Sequence, residues 1–414
     1  MVGFVQSWFA PAANPIGIDF GSEGLRMAQV EALANPAAAK GSARDFKLIA
    51  AARADVPPHV RNDPAARFEF FARTVRELWP QGNFRGRRVV LSLPASMMTM
   101  CHLRLPRMED DAIKKALPWE ARGKLPYDPS RALLRHLVAG DVYQDGEQRS
   151  EIILMAAVRD SVNQFLDAAT KAKLDVVGMN VEPKALVDCF ANVYRRKSDA
   201  ETTCCFVDIG CCATRAVIAR GGQILFGRIV PVGGDHFNRA VAKALEVSVE
   251  DARAARIRQC EVETALPGPV LTPAPDELER GSTPEAARIE QACREPLAKL
   301  VEELALCRHY HDATFPNLPV GRLIFVGGES RHRGLCQQIA RRLDLAAQVG
   351  DPLARMGRMS DIGIECGIDR RLPQPDWAVA IGLSTGPAPA GTTFSPEPTT
   401  AAPADAAREA GKSI

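Results

Sequence analysis

One nine-residue pattern occurs twice, about half a chain apart, and it limits the fold more than any other feature. Ile18-Asp19-Phe20-Gly21-Ser22-Glu23-Gly24-Leu25-Arg26 is matched by Val207-Asp208-Ile209-Gly210-Cys211-Cys212-Ala213-Thr214-Arg215. Each copy reads as a buried strand, then Asp-x-Gly, a short turn, and a second strand opening on an apolar or Thr residue followed by Arg. The order around them repeats as well: strand, strand, strand, helix. Copies placed this way predict a duplicated, bilobed α/β fold.

The residue types in the repeat fit a phosphate-gripping hairpin. Such a turn needs backbone N–H groups pointing inward, and Gly21 and Gly210 allow the tight turn without a side chain that would block phosphate. Ser22 and Thr214 can add hydroxyl donors. Asp19 and Asp208, at strand ends, suit a hydrated Mg²⁺ better than the phosphate itself, because carboxylate and phosphate repel. One Asp-x-Gly is an ordinary turn; two in matching strand contexts predict a nucleotide clamped between lobes. Val326-Gly327-Gly328-Glu329-Ser330, after a late buried strand, adds a place where the backbone can approach a nucleoside closely.

The rest of the chain divides around these turns. Residues 1–15 form a leader in which Phe4, Val5, Trp8 and Phe9 share one helical face. That face packs on the protein's own body or meets lipid or a membrane partner; the leader's lack of Lys and Arg argues against direct binding to anionic lipid. Residues 16–94 are the first part of lobe 1, with a helix through Phe68, Phe71, Val75 and Leu78 that should end before Pro80. Residues 95–182 read as an inserted α+β subdomain. It holds strands at Cys101–Leu105, Leu133–Ala139, Glu151–Val158 and Val176–Val181, a helix over Glu109–Lys124 broken or kinked at Pro118, and a helix to Lys173 capped by Asp160. Residues 183–385 are the remainder of lobe 1 and lobe 2, with a hairpin across Gly221-Gly222 and helices at 235–245, 249–258, 284–311, 334–343 and 376–383. The Pro-rich loop 264–283 and the tail 386–414 read as irregular or disordered.

Composition is ordinary for a globular protein of 414 residues: 46% hydrophobic and 25% charged. Lys plus Arg is 52 against 50 Asp plus Glu, so charge offers no argument for nucleic acid or an acidic substrate. The 11 Cys are odd in number and unlike a disulfide scaffold in spacing, which favours reduced thiols. No apolar run approaches the roughly 20 residues that span a bilayer, and no secretory signal is visible. The expected location is the cytosol, from which the chain can still touch a membrane.

Other clusters carry less. Cys204-Cys205 and Cys211-Cys212 invite a metal, but neighbouring strand residues point to opposite faces, so each pair cannot readily supply two ligands to one ion; small buried residues beside the phosphate loop are the reading adopted. His309 and His311 lie about 200° apart on a helix and do not face one metal. Glu120 and Asp128 shape a loop rather than perform acid–base work. No general base stands out in the second hairpin, so any ATP turnover is expected to be slow or absent. A sugar-kinase-like phosphotransferase would need an Asp base facing a pocket in the first lobe, which no residue marks. A filament-forming cytoskeletal protein is the other alternative.

Taken as a set, these motifs resemble those of the actin, sugar-kinase and chaperone ATPase superfamily. The resemblance narrows to the PilM family of type IV pilus assembly proteins, related to the cell-division protein FtsA. It rests on Val90-Leu91-Ser92-Leu93-Pro94, Leu103-Arg104-Leu105-Pro106-Arg107-Met108, Leu125-Pro126-Tyr127-Asp128, Phe226-Gly227-Arg228, Val232-Gly233-Gly234 and Ala378-Val379-Ala380-Ile381-Gly382-Leu383, over roughly Ile16 to Leu383. The resemblance implies ATP with Mg²⁺ in the interlobe cleft. Lobe 1 would contribute Asp19, Gly21, Ser22 and Arg26. Lobe 2 would contribute Asp208, Gly210, Thr214, Gly233, Gly234, Gly327, Gly328 and Ser330. It implies a cytoplasmic adaptor of the inner-membrane assembly platform that binds the cytoplasmic N-terminus of a PilN-like bitopic membrane protein, between lobe 1 and its insert, alongside other platform components. Membrane association would run through that partner or the leader. The sequence departs from the family where Arg253 and Arg256 replace a Glu and a Lys that approach adenosine, and where Arg26 replaces Lys.

Overall fold

Two five-stranded sheets with one strand order between them carry the chain. The structure, a computed structural model, describes residues 13–33, 45–264, 283–357, 366–369 and 371–386. The face formed by Phe4, Val5, Trp8 and Phe9, most of the Pro-rich loop and nearly all of the tail lie outside the described residues.

The first sheet is built from β1 (Ile16–Phe20), β2 (Gly24–Ala32) and β3 (Phe46–Asp55), then α1 (Pro64–Gln81) and β4 (Arg88–Leu93). All five residues of β1 are buried because it is the central strand, covered on both faces. Helix α1 continues to Gln81, beyond the stop expected at Pro80. Pro80 sits in the last turn, where its missing N–H sacrifices a single bond, and Gly82 N–H still reaches Leu78 O at 3.0 Å.

Between β4 and the last strand of this sheet come β5 (Met98–Pro106), α2 (Asp110–Glu120), β6 (Ala132–Gln144), β7 (Glu147–Val158) and α3 (Arg159–Lys171). Strands β5, β7 and β6 form a separate antiparallel sheet. Then β8 (Asp175–Val181) returns to pair in parallel with β4, giving the order β3-β2-β1-β4-β8. Strand β8 and helix α3 therefore belong to lobe 1 rather than to the insert that the sequence placed them in. Phe165 of α3 sits 5.1 Å from Phe71 of α1, ring centre to ring centre, in the lobe 1 core. Asp160 does not cap α3. Val158 is the N-cap, and Asp160 in the first turn pairs with Arg131 at 3.3 Å. Helix α2 stops at Glu120, two residues past Pro118.

Helices α4 (Glu182–Ala191) and α5 (Lys197–Glu201) lead to the second sheet: β9 (Thr203–Ile209), β10 (Thr214–Arg220), β11 (Gln223–Val230), α6 (Gly234–Leu245), α7 (Val249–Thr264), α8 (Pro284–Thr314), β12 (Val320–Val326), α9 (Arg333–Leu343) and β13 (Ala346–Val349). Its order, β11-β10-β9-β12-β13, repeats that of the first sheet strand for strand. Gly221, at φ +57°, makes the β10–β11 turn.

The last helix, α10 (Ala378–Thr385), returns to lobe 1 and packs on α4 and β1. Every residue from Ala378 to Ser384 is buried, as an apolar helix enclosed by two layers requires. A side chain on Gly17 would collide with the Ala380 carbonyl, and one on Gly382 with the Ala185 carbonyl, so this packing needs both glycines. Helix α10 follows a short 3₁₀ turn, Pro375–Trp377, which moves its start past the expected Asp376. Among the described residues no helix is long and apolar enough to cross a membrane.

Candidate functional site: the cleft between the twin hairpins

Both copies of the repeat close in the same way. Gly21 N–H donates to Gly24 O at 2.9 Å, and Gly210 N–H donates to Ala213 O at 3.1 Å. The ladder sets Asp19 opposite Arg26 in one lobe and Asp208 opposite Arg215 in the other. The two turns face one cavity of about 280 Å³, also lined by Pro94, Glu182, Gly327, Gly328 and Asp376. Of the residues expected from sequence, Asp19, Gly21, Ser22, Arg26, Asp208, Gly210, Gly327 and Gly328 line it.

Four expected residues stand behind the wall. Thr214 does not offer its hydroxyl to the cleft: it is fully buried and donates to Val232 O at 2.7 Å. Ser330 is likewise buried, its hydroxyl donating to Gly327 O at 2.7 Å, so it closes the Gly-Gly turn from within. Gly233 lets α6 abut the second hairpin, since a Cβ there would fall 2.6 Å from the Gly210 and Cys211 carbonyls. Gly234 N–H is donated to Gly210 O at 2.9 Å. These residues shape hairpin and turn without touching the cavity.

The arginines break the symmetry. Arg215 Nε stays on Asp208 at 2.7 Å and lies 3.2 Å from Glu182. Burial works against its charge, but Asp208 and Glu182 outweigh burial and hold it above its ordinary value. Arg26 instead turns to Asp376 at 2.9 Å, and Arg331, just beyond the Gly-Gly turn, meets the other oxygen of Asp376 at 2.8 Å. Burial favours a neutral Asp376, yet the two guanidinium groups win and hold its carboxyl well below the usual range. Asp376 thereby links the strand ends of both lobes.

The floor is acidic. Asp19 accepts from Ser92 Oγ at 2.9 Å; burial raises its pKa against the pull of Arg26 and Arg215. Burial pushes Glu182 up to about 8, with Asp19 and Asp208 adding to the effect and Arg215 opposing it. Glu182 Oε2 is buried and makes no aligned hydrogen bond among the described residues. Asp19, Asp208 and Glu182, whose Oε2 meets Arg215 without an aligned hydrogen bond, are a set of acidic oxygens that a hydrated divalent cation fits, its charge displacing the proton on Glu182.

Around the rim, Arg67 donates to the carbonyls of Gly21 at 3.0 Å and Ser22 at 3.4 Å while stacking on Phe20, which fixes the first hairpin. Glu23 at that hairpin's tip pairs with Arg61 at 3.3 Å and with Arg253 of α7, in the opposite lobe, at 3.1 Å. Arg256 is buried, pairing with Glu329 at 2.5 Å and Asn238 at 2.7 Å. Burial opposes the charge on Glu329, but Arg256 prevails and keeps its carboxyl below its ordinary value.

Sequence reasoning missed Glu182, Ser92, Asp376 and Arg331. Two signals were available: Ser92 is the one polar residue in the run Val89–Leu93, and Glu182 directly follows a buried strand. The reading of Cys211 and Cys212 is corrected. They lie in a bend, not a strand; Cys212 is exposed, and the two sulfurs converge to 3.7 Å. Cys204 and Cys205 do lie on opposite faces of β9, in different cores.

Residues 17–280 match the family model described as type IV pilus assembly protein PilM. The chain belongs to the PilM family. Residues 205–382 also match the model for cell division protein FtsA. The FtsA of Rhizobium meliloti (strain 1021) is 23% identical over 309 residues, covering 68% of this chain and 63% of that protein. The chain thus spans less than two thirds of the length of the curated relative it matches. Among solved structures, a PilM-PilN type IV pilus biogenesis complex is 22% identical and superposes over 90% of this chain and 97% of that one with a TM-score of 0.68. The duplicated, bilobed architecture with its inserted sheet is the actin-like fold of this PilM family.

Proposed function

We propose that this chain is an ATP-loaded cytoplasmic adaptor of the type IV pilus assembly platform. The observation that supports it best is that two hairpins, one from each half of the molecule, turn into a single cavity. In this reading the glycine turns receive the triphosphate and Arg26 and Arg215 balance its charge. Asp19, Asp208 and Glu182 would hold hydrated Mg²⁺, which neutralises phosphate charge when bound. Thr214, Gly233, Gly234 and Ser330 act from behind by fixing the loops. Arg256, committed to Glu329, cannot serve adenosine as the family's Lys does, so base recognition differs here.

The partner reading rests on the solved complex this chain resembles, in which a PilM is joined to a PilN. The corresponding ligand here is the cytoplasmic N-terminus of a PilN-like bitopic membrane protein, held between lobe 1 and its insert, with other platform components beyond it. That contact, or the leader, would keep the protein peripheral at the inner face of the cytoplasmic membrane; nucleic acid has no part. ATP would favour closed lobes and so shape the peptide groove, a population shift that needs no fast hydrolysis. Fluorescence anisotropy of a labelled peptide from the start of the cognate PilN, with and without ATP and Mg²⁺, tests this. Tighter binding with ATP is expected. No peptide binding in either state would remove the adaptor role, and no ATP binding by calorimetry would remove the nucleotide.

A further inference from the structure

We propose that Cys211, Cys212 and Asp235 form a site for one thiophilic divalent cation of the zinc class at the tip of the second hairpin. The ligating atoms of the three residues all lie within 4.8 Å of one another. The two sulfurs are 3.7 Å apart. A tetrahedral ion with Zn–S bonds of about 2.3 Å holds two thiolates ~3.8 Å apart, so the spacing already suits metal ligation.

The backbone explains how adjacent cysteines converge. In an extended strand they would face opposite ways, as Cys204 and Cys205 do. The bend at 211–212 turns both side chains to one side. The third ligand is tied to the first through the main chain, because Asp235 N–H donates to Cys211 O at 2.8 Å and Gly234 N–H to Gly210 O at 2.9 Å. The ligand frame is therefore set by hydrogen bonds that need no ion. Arg239 pairs with Asp235 only at 4.0 Å, a loose contact that a bound metal would displace.

Access is open. Cys212 is exposed, Cys211 half-buried, and both line the cavity wall. Two sulfurs and one carboxylate leave a fourth position for water or an anionic oxygen on the cleft side, the pattern of an open rather than a closed zinc site. A cation there would pin the second hairpin and add positive charge beside the cleft. The proposal does not rest on the nucleotide reading, since all three protein ligands are in place without one.

The experiment titrates the reduced full-length chain with Cd²⁺, read by the ultraviolet thiolate-to-cadmium charge-transfer band, and then displaces the band with Zn²⁺. One equivalent is expected. Cys212→Ser, at an exposed position that leaves packing untouched, should lose the band, as should Cys211→Ser. Asp235→Asn should keep a band that saturates at higher Cd²⁺, and Cys101→Ser should behave as the parent chain. A band that survives in Cys212→Ser, or a parent chain with no band at stoichiometric Cd²⁺, overturns the proposal.

Discussion

Arg26 lies directly across the ladder from Asp19, yet its guanidinium is turned away to Asp376, 2.9 Å off, just ahead of the last helix. Arg331 closes on the same carboxylate from lobe 2. Asp376 is only 5% exposed at its side chain, but Arg26 is 21% and Arg331 37% exposed, so water screens the Arg331 pair more than the Arg26 pair. Removing it would leave two guanidinium groups facing each other near the cleft. Asp376→Ala is therefore expected to destabilise the protein by about 2–3 kcal/mol, below the full scale for breaking a buried pair because both arginines reach water. Urea unfolding measures it; a loss within error of zero would show that the lobes do not depend on this link. Because the Asp376 pKa is depressed on folding, its contribution is present above the ordinary carboxylate range and fades as pH falls through the folded value.

The cleft assignment has its own test in the paired aspartates. Asp19→Ala and Asp208→Ala should each weaken Mg²⁺-dependent ATP binding at least about tenfold, which is ~1.4 kcal/mol. Calorimetry on variants whose circular dichroism matches the parent gives the comparison. Unchanged affinity in both would sink the assignment.

Glu182 sets a pH dependence of opposite sign to that of Asp376. Its folded pKa, about 8, lies above the ordinary glutamate value of 4.5, so the folded state holds a proton that the unfolded chain has released between those values. Stability from this group is full below the lower value and is lost as pH rises through the upper one. Glu182→Gln should flatten the fall in melting temperature between pH 5 and pH 8, measured without nucleotide or divalent cation. A variant whose melting temperature falls as steeply as the parent's would show that Glu182 does not titrate there.

How much of this was legible in sequence follows the range of the interactions. Turn chemistry is local, so Asp19-Phe20-Gly21 and Asp208-Ile209-Gly210 revealed both hairpins and the duplicated fold. The Arg26–Asp376 pair joins residues 350 positions apart, and no spacing rule reaches that far. Helix α4 went unseen because it is only ten residues long and seven of them are buried, so few polar positions mark an outer face. Thr214 was misassigned because a hydroxyl beside a turn carries no sign of which partner it takes. The cysteine pair was misjudged because strand alternation was extended into a bend.

Where the insert meets lobe 2, one buried carboxylate, Glu151, takes partners from two elements, β5 and α8. Its Oε1 accepts from Tyr310 of α8 at 2.6 Å and contacts His102 Nδ1 at 2.9 Å; its Oε2 accepts from Arg104 at 3.0 Å. His102 in turn stacks on Phe226, ring centres 4.6 Å apart, and its Nε2 lies 3.0 Å from Gly227 O on β11. Burial alone would raise the Glu151 pKa, but the bonds from His102, Tyr310 and Arg104 outweigh it and lower it. The carboxylate, itself fully buried, is thus worth more than its pairs taken singly, as a shared acceptor. Glu151→Gln should cost about 2–4 kcal/mol, and Tyr310→Phe less. Because the two groups touch, the double variant should lose at least about 0.5 kcal/mol less than the sum of the singles. Hydrogen exchange should quicken along β11 and the end of α8 while the lobe 1 sheet stays protected. Additive losses, or exchange that quickens equally in lobe 1, would mean that Glu151 serves the insert's own folding rather than its docking on lobe 2.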